Sequence, residues 1–202
     1  MRMYTLEEGK RMVRAARKAV KSYVSSHRFD RTEADRHAFG LDKRHGVFVT
    51  IAHYPTMEVR GSMGFVSAEQ PLGREVVDAA VAAASQDPRY VPVSHLELEH
   101  IVIEACVVGR TEPVRSIGAA GPVGGISRAD GLYIEYGFNR GVLLPTAVGT
   151  GWPAEKMLDR LCANAGLPEH AWRRHGVEIF RFGAQAFRET EPDGDVEEIK
   201  LG

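Results

Sequence analysis

The chain has 202 residues, and its 26 Lys and Arg against 27 Asp and Glu give a net charge of −1. This balance argues against a uniformly basic nucleic-acid binder, and 44% hydrophobic residues are typical of a globular protein. No uncharged apolar run approaches the roughly 20 residues of a membrane span. The start has no apolar signal-peptide core, so we expect a cytoplasmic protein without membrane contact. Cys106 and Cys162 are interpreted as buried, reduced core residues.

The first predicted helix opens at Thr5, where Glu8 completes a capping box, and it ends near Ser25–Ser26. Four cations share one face of this helix and are called the basic stripe: Lys10, Arg14, Arg17 and Lys21. The stripe is interpreted as a solvated face or, alternatively, as a contact for an RNA backbone. Six acidic residues lie between positions 189 and 198, so the two ends of the chain could attract each other.

Segments rich in β-branched and aromatic residues predict strands. In chain order they are 46–53, 57–63, 101–108, 132–136, 142–144 and 177–187. Helices are predicted over 71–85 and 153–166, and loops over 27–45 and 116–130. Because the strands come in hairpins, the pattern favours an α+β fold with a mostly antiparallel sheet. We expect one domain over 1–190, or two interleaved lobes, and an acidic C-terminal tail over 191–202 that frays.

Several strings, in order, resemble the AMME syndrome candidate gene 1 protein family. They are Gly46–Thr50, Arg60–Gly64, Asp87–Tyr90, Ile103-Glu104, Gly141–Pro145, Trp152, Cys162–Leu167 and Trp172. The resemblance covers roughly residues 5–190. Three positions depart from the family pattern, which usually has Cys at 62, Ile at 63 and Gln at 146: here they are Ser62, Met63 and Thr146.

The resemblance implies an antiparallel sheet flanked by helices, with a smaller lobe and an interlobe cleft lined by the segment Arg60–Gly64. It also implies a family without an established biochemistry. Its prokaryotic members are often encoded beside Memo-like and radical-SAM proteins, which implies a shared pathway that modifies RNA or a small metabolite. Ser62 in place of the usual Cys weakens the case for thiol catalysis, because a free hydroxyl needs an activating base.

The glycine segment, Arg60-Gly61-Ser62-Met63-Gly64, is the first candidate site. Its glycines permit a close approach or a turn with positive φ. Backbone N–H groups in such a turn, beside an arginine, suit a phosphate or carboxylate. The alternative is a bulge or bend at the end of a strand. Arg89 and Arg140 are further candidate anion contacts.

Glu104 lies in the middle of an apolar strand and would face the same side as Cys106. A buried carboxylate there suits proton transfer, although a structural role is the alternative. His53, at the end of the strand paired with the glycine segment, is the other proton-transfer candidate, and Ser62 would donate a hydrogen bond. The histidine spacings give no metal motif, so we predict neither a metal site nor a cofactor.

Two functional hypotheses follow from these residues and the resemblance. The first is an enzyme, or an enzyme component, that binds an anionic, nucleotide-like ligand in a cleft near the glycine segment. The second is a non-catalytic adaptor that docks a Memo-like or radical-SAM partner protein. Under the first hypothesis, substitutions in the glycine segment should impair function most. Under the second, substitutions that change the surface charge should do so.

Overall fold

The computed structural model describes residues 3–26, 40–114, 123–149 and 151–201. The chain divides into two compact units. The first contains Met1–Val108 and Gln185–Ile199, and the second contains Gly109–Ala184 and Lys200–Gly202. Most of the predicted loop over 27–45 and part of that over 116–130 lie outside the described residues. Within the described ranges, no helix combines the length and apolar character needed to cross a bilayer.

Helix α1 spans Leu6–Ser26, as the sequence predicts. The capping box is present: the backbone N–H of Thr5 donates to Glu8 Oε2 at 2.7 Å, and that of Glu8 donates to Thr5 Oγ1 at 3.2 Å. Its apolar face, which includes Met12, Val13 and Val20, is fully buried. The local signals in the sequence therefore fix both the start and the buried face of this helix.

The first unit packs helices on one face of its strands. Its elements are β1 (Val47–His53), β2 (Val59–Phe65), α2 (Leu72–Ser85), a short 3-10 helix (His95–His100) and the start of β3 (Ile101–Pro113). Helices α1 and α2 share one hydrophobic core with alternate residues of the strands, among them Val49, Ile51, Ile103 and Ala105. The intervening strand residues, including Thr50 and Glu104, therefore face the other side of the sheet.

The second unit has its own core. Its elements are β4 (Gly131–Tyr136), β5 (Asn139–Leu143), α3 (Ala154–Asn164) and the start of β6 (Glu178–Glu189). Residues from β4 and β5 pack with α3 and with Trp172 of a short 3-10 helix (Ala171–Arg173). Gly166, at φ +69°, follows α3 in the left-handed conformation that favours glycine after a helix.

The strand order is β2-β1-β3-β6-β4-β5, with β7 (Val196–Ile199) beside β6. Strands β3 and β6 each contribute residues to both units. The pairs β1–β2, β1–β3, β4–β5, β4–β6 and β6–β7 are all antiparallel. The predicted α+β fold, with a mostly antiparallel sheet flanked by helices, is confirmed.

The expectation that the C-terminal tail frays is wrong. Strand β7 pairs with β6 in register from Val196 opposite Glu189 to Ile199 opposite Ala186. The side chain of Val196 is buried in the core of the first unit. One apolar residue and an available strand edge outweigh the acidic composition that suggested a solvated tail.

Candidate functional site

The glycine segment lies inside strand β2 rather than in a turn. Neither of its glycines has a positive φ, so the predicted left-handed turn is wrong. The register with β1 instead shifts at Arg60, because Gly61 pairs with Ile51 whereas Val59 pairs with Ala52. The alternative prediction of a bulge describes this geometry.

The two glycines allow other parts of the chain to come close. A Cβ atom on Gly61 would overlap the backbone carbonyl oxygen of Ala83 in α2. A Cβ atom on Gly64 would overlap the backbone of Val47 and Phe48 in β1. Glycine is therefore required at both positions by packing within the first unit.

Arg60 binds a carboxylate of its own chain. Its Nε donates to Glu97 Oε1 at 2.6 Å and its Nη2 to Glu97 Oε2 at 3.3 Å. Burial acts to raise the pKa of Glu97, but hydrogen bonds from Arg60 and Ser94 outweigh burial and lower the pKa to about 2. An anionic ligand at Arg60 would have to compete with this bidentate pair.

Arg89 is likewise paired, with the buried carboxylate of Asp87. Its Nε donates to Oδ1 at 2.9 Å and its Nη2 to Oδ2 at 2.6 Å. The backbone N–H of Ser62, the donor expected to hold an anion, also donates to Asp87 Oδ2, at 2.8 Å. Burial acts to raise the pKa of Asp87, but these hydrogen bonds leave it below its ordinary value. The carboxylate of Asp87 thus binds the Ser62 N–H group that was expected to bind an anionic ligand.

Four polar side chains cross the other face of the sheet in the first unit, and we call them the polar row: Ser62, Thr50, Glu104 and Arg188. The hydroxyl oxygens of Ser62 and Thr50 are 2.9 Å apart and share a hydrogen bond. Thr50 is directly opposite Glu104 on β3. Arg188 Nη1, from β6, lies 3.8 Å from Glu104 Oε2. The row thus joins residues of β2, β1, β3 and β6 in the order of the strands.

The centre of the polar row is shielded from water. Glu104 is 6% exposed, whereas Ser62, Thr50 and Arg188 are partly exposed on either side of it. Cys106, on the same face of β3, is fully buried, and burial together with the Glu104 carboxylate raises the pKa of its thiol. A carboxylate between a threonine and a guanidinium can accept hydrogen bonds from a polar ligand and exchange a proton with it.

His53 and Arg140 are not part of the polar row. His53 shares the side of β1 that carries Ile51, opposite to Thr50, and its backbone bonds with Glu58 and Met57 at the turn. Arg140 belongs to the second unit, on β5, where its Nε lies 3.2 Å from Glu135. Met63 on β2 packs against the core of the first unit.

The basic stripe is covered in large part by the C-terminal segment. Lys10 Nζ is 2.9 Å from Asp195, and Lys21 pairs with Asp193. Arg17 is buried and makes a bidentate pair with Glu189. The predicted attraction between the two ends of the chain is confirmed, and the solvated-face interpretation is wrong for Arg17. The RNA contact stays a prediction.

Sequence reasoning missed the carboxylate partners and two members of the polar row. In the sequence, Asp87 before Pro88 is typical of the end of a helix, and Glu97 has no signal beyond its position after Ser94. Strand alternation alone could have placed Thr50 on the outward face of β1. No sequence motif marks Arg188, because it comes close to Glu104 only through the pairing of β6 with β3. Among the described residues, no three His, Cys, Asp or Glu side chains group as metal ligands.

The fold and the polar row define the chain as an α+β protein with a buried carboxylate at the centre of one sheet face. The family model described as AMMECR1 matches residues 13–187, and the chain belongs to this family. It is 39% identical over 203 residues to the protein MJ0810 of Methanocaldococcus jannaschii, covering 100% of each chain. It is 41% identical to a protein of Thermofilum pendens, covering 95% of this chain and 94% of that one.

A solved structure has the same fold. The crystal structure of the uncharacterized protein PH0010 from Pyrococcus horikoshii matches with a TM-score of 0.86 and 31% identity. The match covers 96% of this chain and 98% of that chain. These relatives carry generic names, so family membership establishes the fold and leaves the activity to be argued from the residues.

Proposed function

We propose that the protein is an enzyme, or an enzyme component, that binds a small, polar, nucleotide-like ligand at the polar row. The observation that supports this proposal is the alignment of Ser62, Thr50 and Glu104 across three neighbouring strands. Buried carboxylates are costly in a folded protein unless they are paired or functional. Thr50, directly opposite Glu104, and Ser62, one strand further along the row, are both partly exposed, so a ligand can reach this edge of the row.

Each residue has a distinct role in this proposal. The shared hydrogen bond of Ser62 and Thr50 fixes the direction of both hydroxyl groups, so that one donates toward the ligand. Glu104 accepts a proton or a hydroxyl hydrogen bond from the ligand. Arg60 and Arg89 support β2 through their ion pairs rather than contacting the ligand, and His53 takes no part.

The test is a thermal-shift screen against nucleotides, phosphorylated metabolites and short RNAs. The wild type is compared with Ser62→Ala and Glu104→Gln, and with Arg74→Ala, which removes an exposed charge on α2. We expect one ligand class to raise the Tm of the wild type and of Arg74→Ala, and this shift to disappear in Glu104→Gln. Equal shifts in all four proteins would contradict the proposal.

The adaptor hypothesis is favoured by a separate observation, an exposed apolar surface on the first unit. It comprises Tyr54, Met57, Val59, Tyr90, Val91 and Leu96. Arg60 joins the two stretches of chain that form it: the bulge residue donates to the Pro92 carbonyl oxygen at 3.3 Å, and its guanidinium lies 5.9 Å from the centre of the Tyr90 ring. Exposed apolar side chains on neighbouring stretches of chain favour a protein–protein contact.

Under this second hypothesis the apolar surface docks a Memo-like or radical-SAM protein. Titration with purified proteins of both classes, followed by calorimetry, tests it. Leu96→Asp should abolish the binding and Glu104→Gln should preserve it. Binding that survives Leu96→Asp and Val91→Asp together would contradict docking at this surface.

A further inference from the structure

Arg188 differs from three other arginines of the first unit in how it meets carboxylates. Arg17, Arg60 and Arg89 each place at least two donor atoms within hydrogen-bond distance of a carboxylate. The carboxylate oxygens nearest to Arg188 belong to Glu104, at 3.8 Å, and Glu197, at 3.9 Å. Both distances exceed those of a hydrogen bond.

The Nε–H group of Arg188 is also buried, and it has no hydrogen-bond partner among the described residues. Buried donors of this kind are rare in native proteins, and a functional role is one of the explanations for them. The Arg188 side chain is 26% exposed, so a ligand can approach its guanidinium from solvent. Its planar donor edge matches the paired oxygens of a carboxylate or phosphate.

We propose that Arg188 anchors an oxyanion of the ligand, either a phosphoryl or a carboxylate group. This inference rests on the proposed function, because the ligand's polar part would lie along Glu104, Thr50 and Ser62. Carboxylates of the same chain already neutralise Arg60 and Arg89. Arg188, whose ion pair with Glu104 is long, is therefore the better anion contact.

Glu197 is the counter-ion that the ligand would displace. Its side chain is 54% exposed on β7, and at 3.9 Å it makes only a long-range pair with Arg188. Exposed pairs of this kind contribute little to stability, so exchange for a bidentate oxyanion is favourable. Glu104, which is buried, keeps its place and orients the guanidinium. Removal of the Glu197 charge should therefore strengthen ligand binding.

The experiment titrates the full chain with sodium phosphate and, separately, with sodium succinate, at an ionic strength held constant with NaCl. Calorimetry and the Tm report saturable binding. We expect one of the anions to bind, Arg188→Gln to weaken it about tenfold, and Arg188→Lys to weaken it less because the charge remains. Glu197→Gln should tighten binding roughly two- to fivefold, and Arg74→Gln should leave it unchanged.

Three outcomes would overturn the assignment: no saturable binding of either anion, equal affinity in the wild type and Arg188→Gln, or weaker binding by Glu197→Gln. If Arg188→Gln fails to fold by circular dichroism, Arg188→Lys and Glu197→Gln decide the question. A ligand from the thermal-shift screen that is lost in Glu104→Gln but kept in Arg188→Gln would overturn the anchor and leave the proposed function standing. A ligand whose binding is lost in Arg188→Gln but kept in Ser62→Ala and Glu104→Gln would overturn the proposed function and leave Arg188 as an anion contact.

Discussion

The carboxylate of Asp87 binds the backbone of Ser62 from outside the sheet. Its Oδ2 accepts the Ser62 N–H at 2.8 Å, and Arg89, held by the same carboxylate, places Nη2 3.5 Å from the Ser62 carbonyl oxygen. Strand β2 is at the edge of the sheet, where backbone groups are otherwise open to another strand. The Asp87–Arg89 pair thus takes the place of a neighbouring strand at the residue that begins the polar row.

Asp87→Ala should lower the free energy of unfolding by about 1–3 kcal/mol, because the Ser62 N–H and the Arg89 guanidinium both lose a buried partner. Urea denaturation followed by circular dichroism measures this change. Asp42→Ala, which removes an exposed carboxylate in the same unit, should change stability by less than about 0.5 kcal/mol. Similar losses of stability in the two variants would show that the contact of Asp87 with β2 does not stabilise the fold.

Gly61→Ala should destabilise the protein by about 1–3 kcal/mol, because its Cβ would overlap the Ala83 carbonyl oxygen and push α2 away from β2. For a chain of this size that is a fall in Tm of roughly 2–12 °C. Gly183→Ala is the matched control, since a Cβ there meets no atom within 4 Å. An unchanged Tm in Gly61→Ala would mean that the helix can shift without cost.

Breaking the buried pair of Arg17 and Glu189 should be among the most damaging single changes. Arg17 also donates to the carbonyl oxygens of Leu98 and Ile101, and Glu189 accepts the Ile103 N–H at 2.8 Å. Glu189→Ala leaves a buried guanidinium without its carboxylate and should cost about 3–5 kcal/mol in urea denaturation. Arg14→Ala, an exposed change on the same helix, should cost less than about 0.5 kcal/mol. Equal costs would contradict the role of this pair.

The ion pair between Arg60 and Glu97 should make stability depend on pH in the acid range. The pKa of Glu97 is about 2 in the folded chain, against about 4.3 for an unfolded glutamate. Its stabilisation is therefore complete above about pH 5 and is lost as the pH falls toward 2. We expect Glu97→Gln to be less stable than the wild type at pH 7 and the difference to shrink with acidification. Glu58→Gln, at an exposed site, should show a constant difference.

Neither cysteine should react with a thiol reagent while the protein is folded. Cys106 and Cys162 are buried, and burial raises the pKa of both thiols, so the reactive thiolate is scarce. At pH 8, Ellman's reagent should label no thiol in native buffer and two in urea. Rapid labelling of the native chain would mean that one of these cores opens easily.

The sequence by itself determined the local elements of this protein and its family. The capping box at Thr5 and Glu8 and the apolar periodicity of α1 act within a few residues, so they are visible without any partner. Strand alternation likewise placed Glu104 beside Cys106 on one face of β3. The family strings also pointed to the glycine segment that contains Ser62, although this segment is a strand rather than the expected turn.

Only the tertiary structure decided which charges meet. Glu97 neutralises Arg60 across 37 residues, and Asp87 reaches Ser62 across 25, because the 3-10 helix and the end of α2 pack against β2. The polar row depends on the order and register of four strands, which bring Arg188 to Glu104. The order of strands that are distant in sequence is set by how the layers pack, so the sequence alone did not predict which buried charges form pairs.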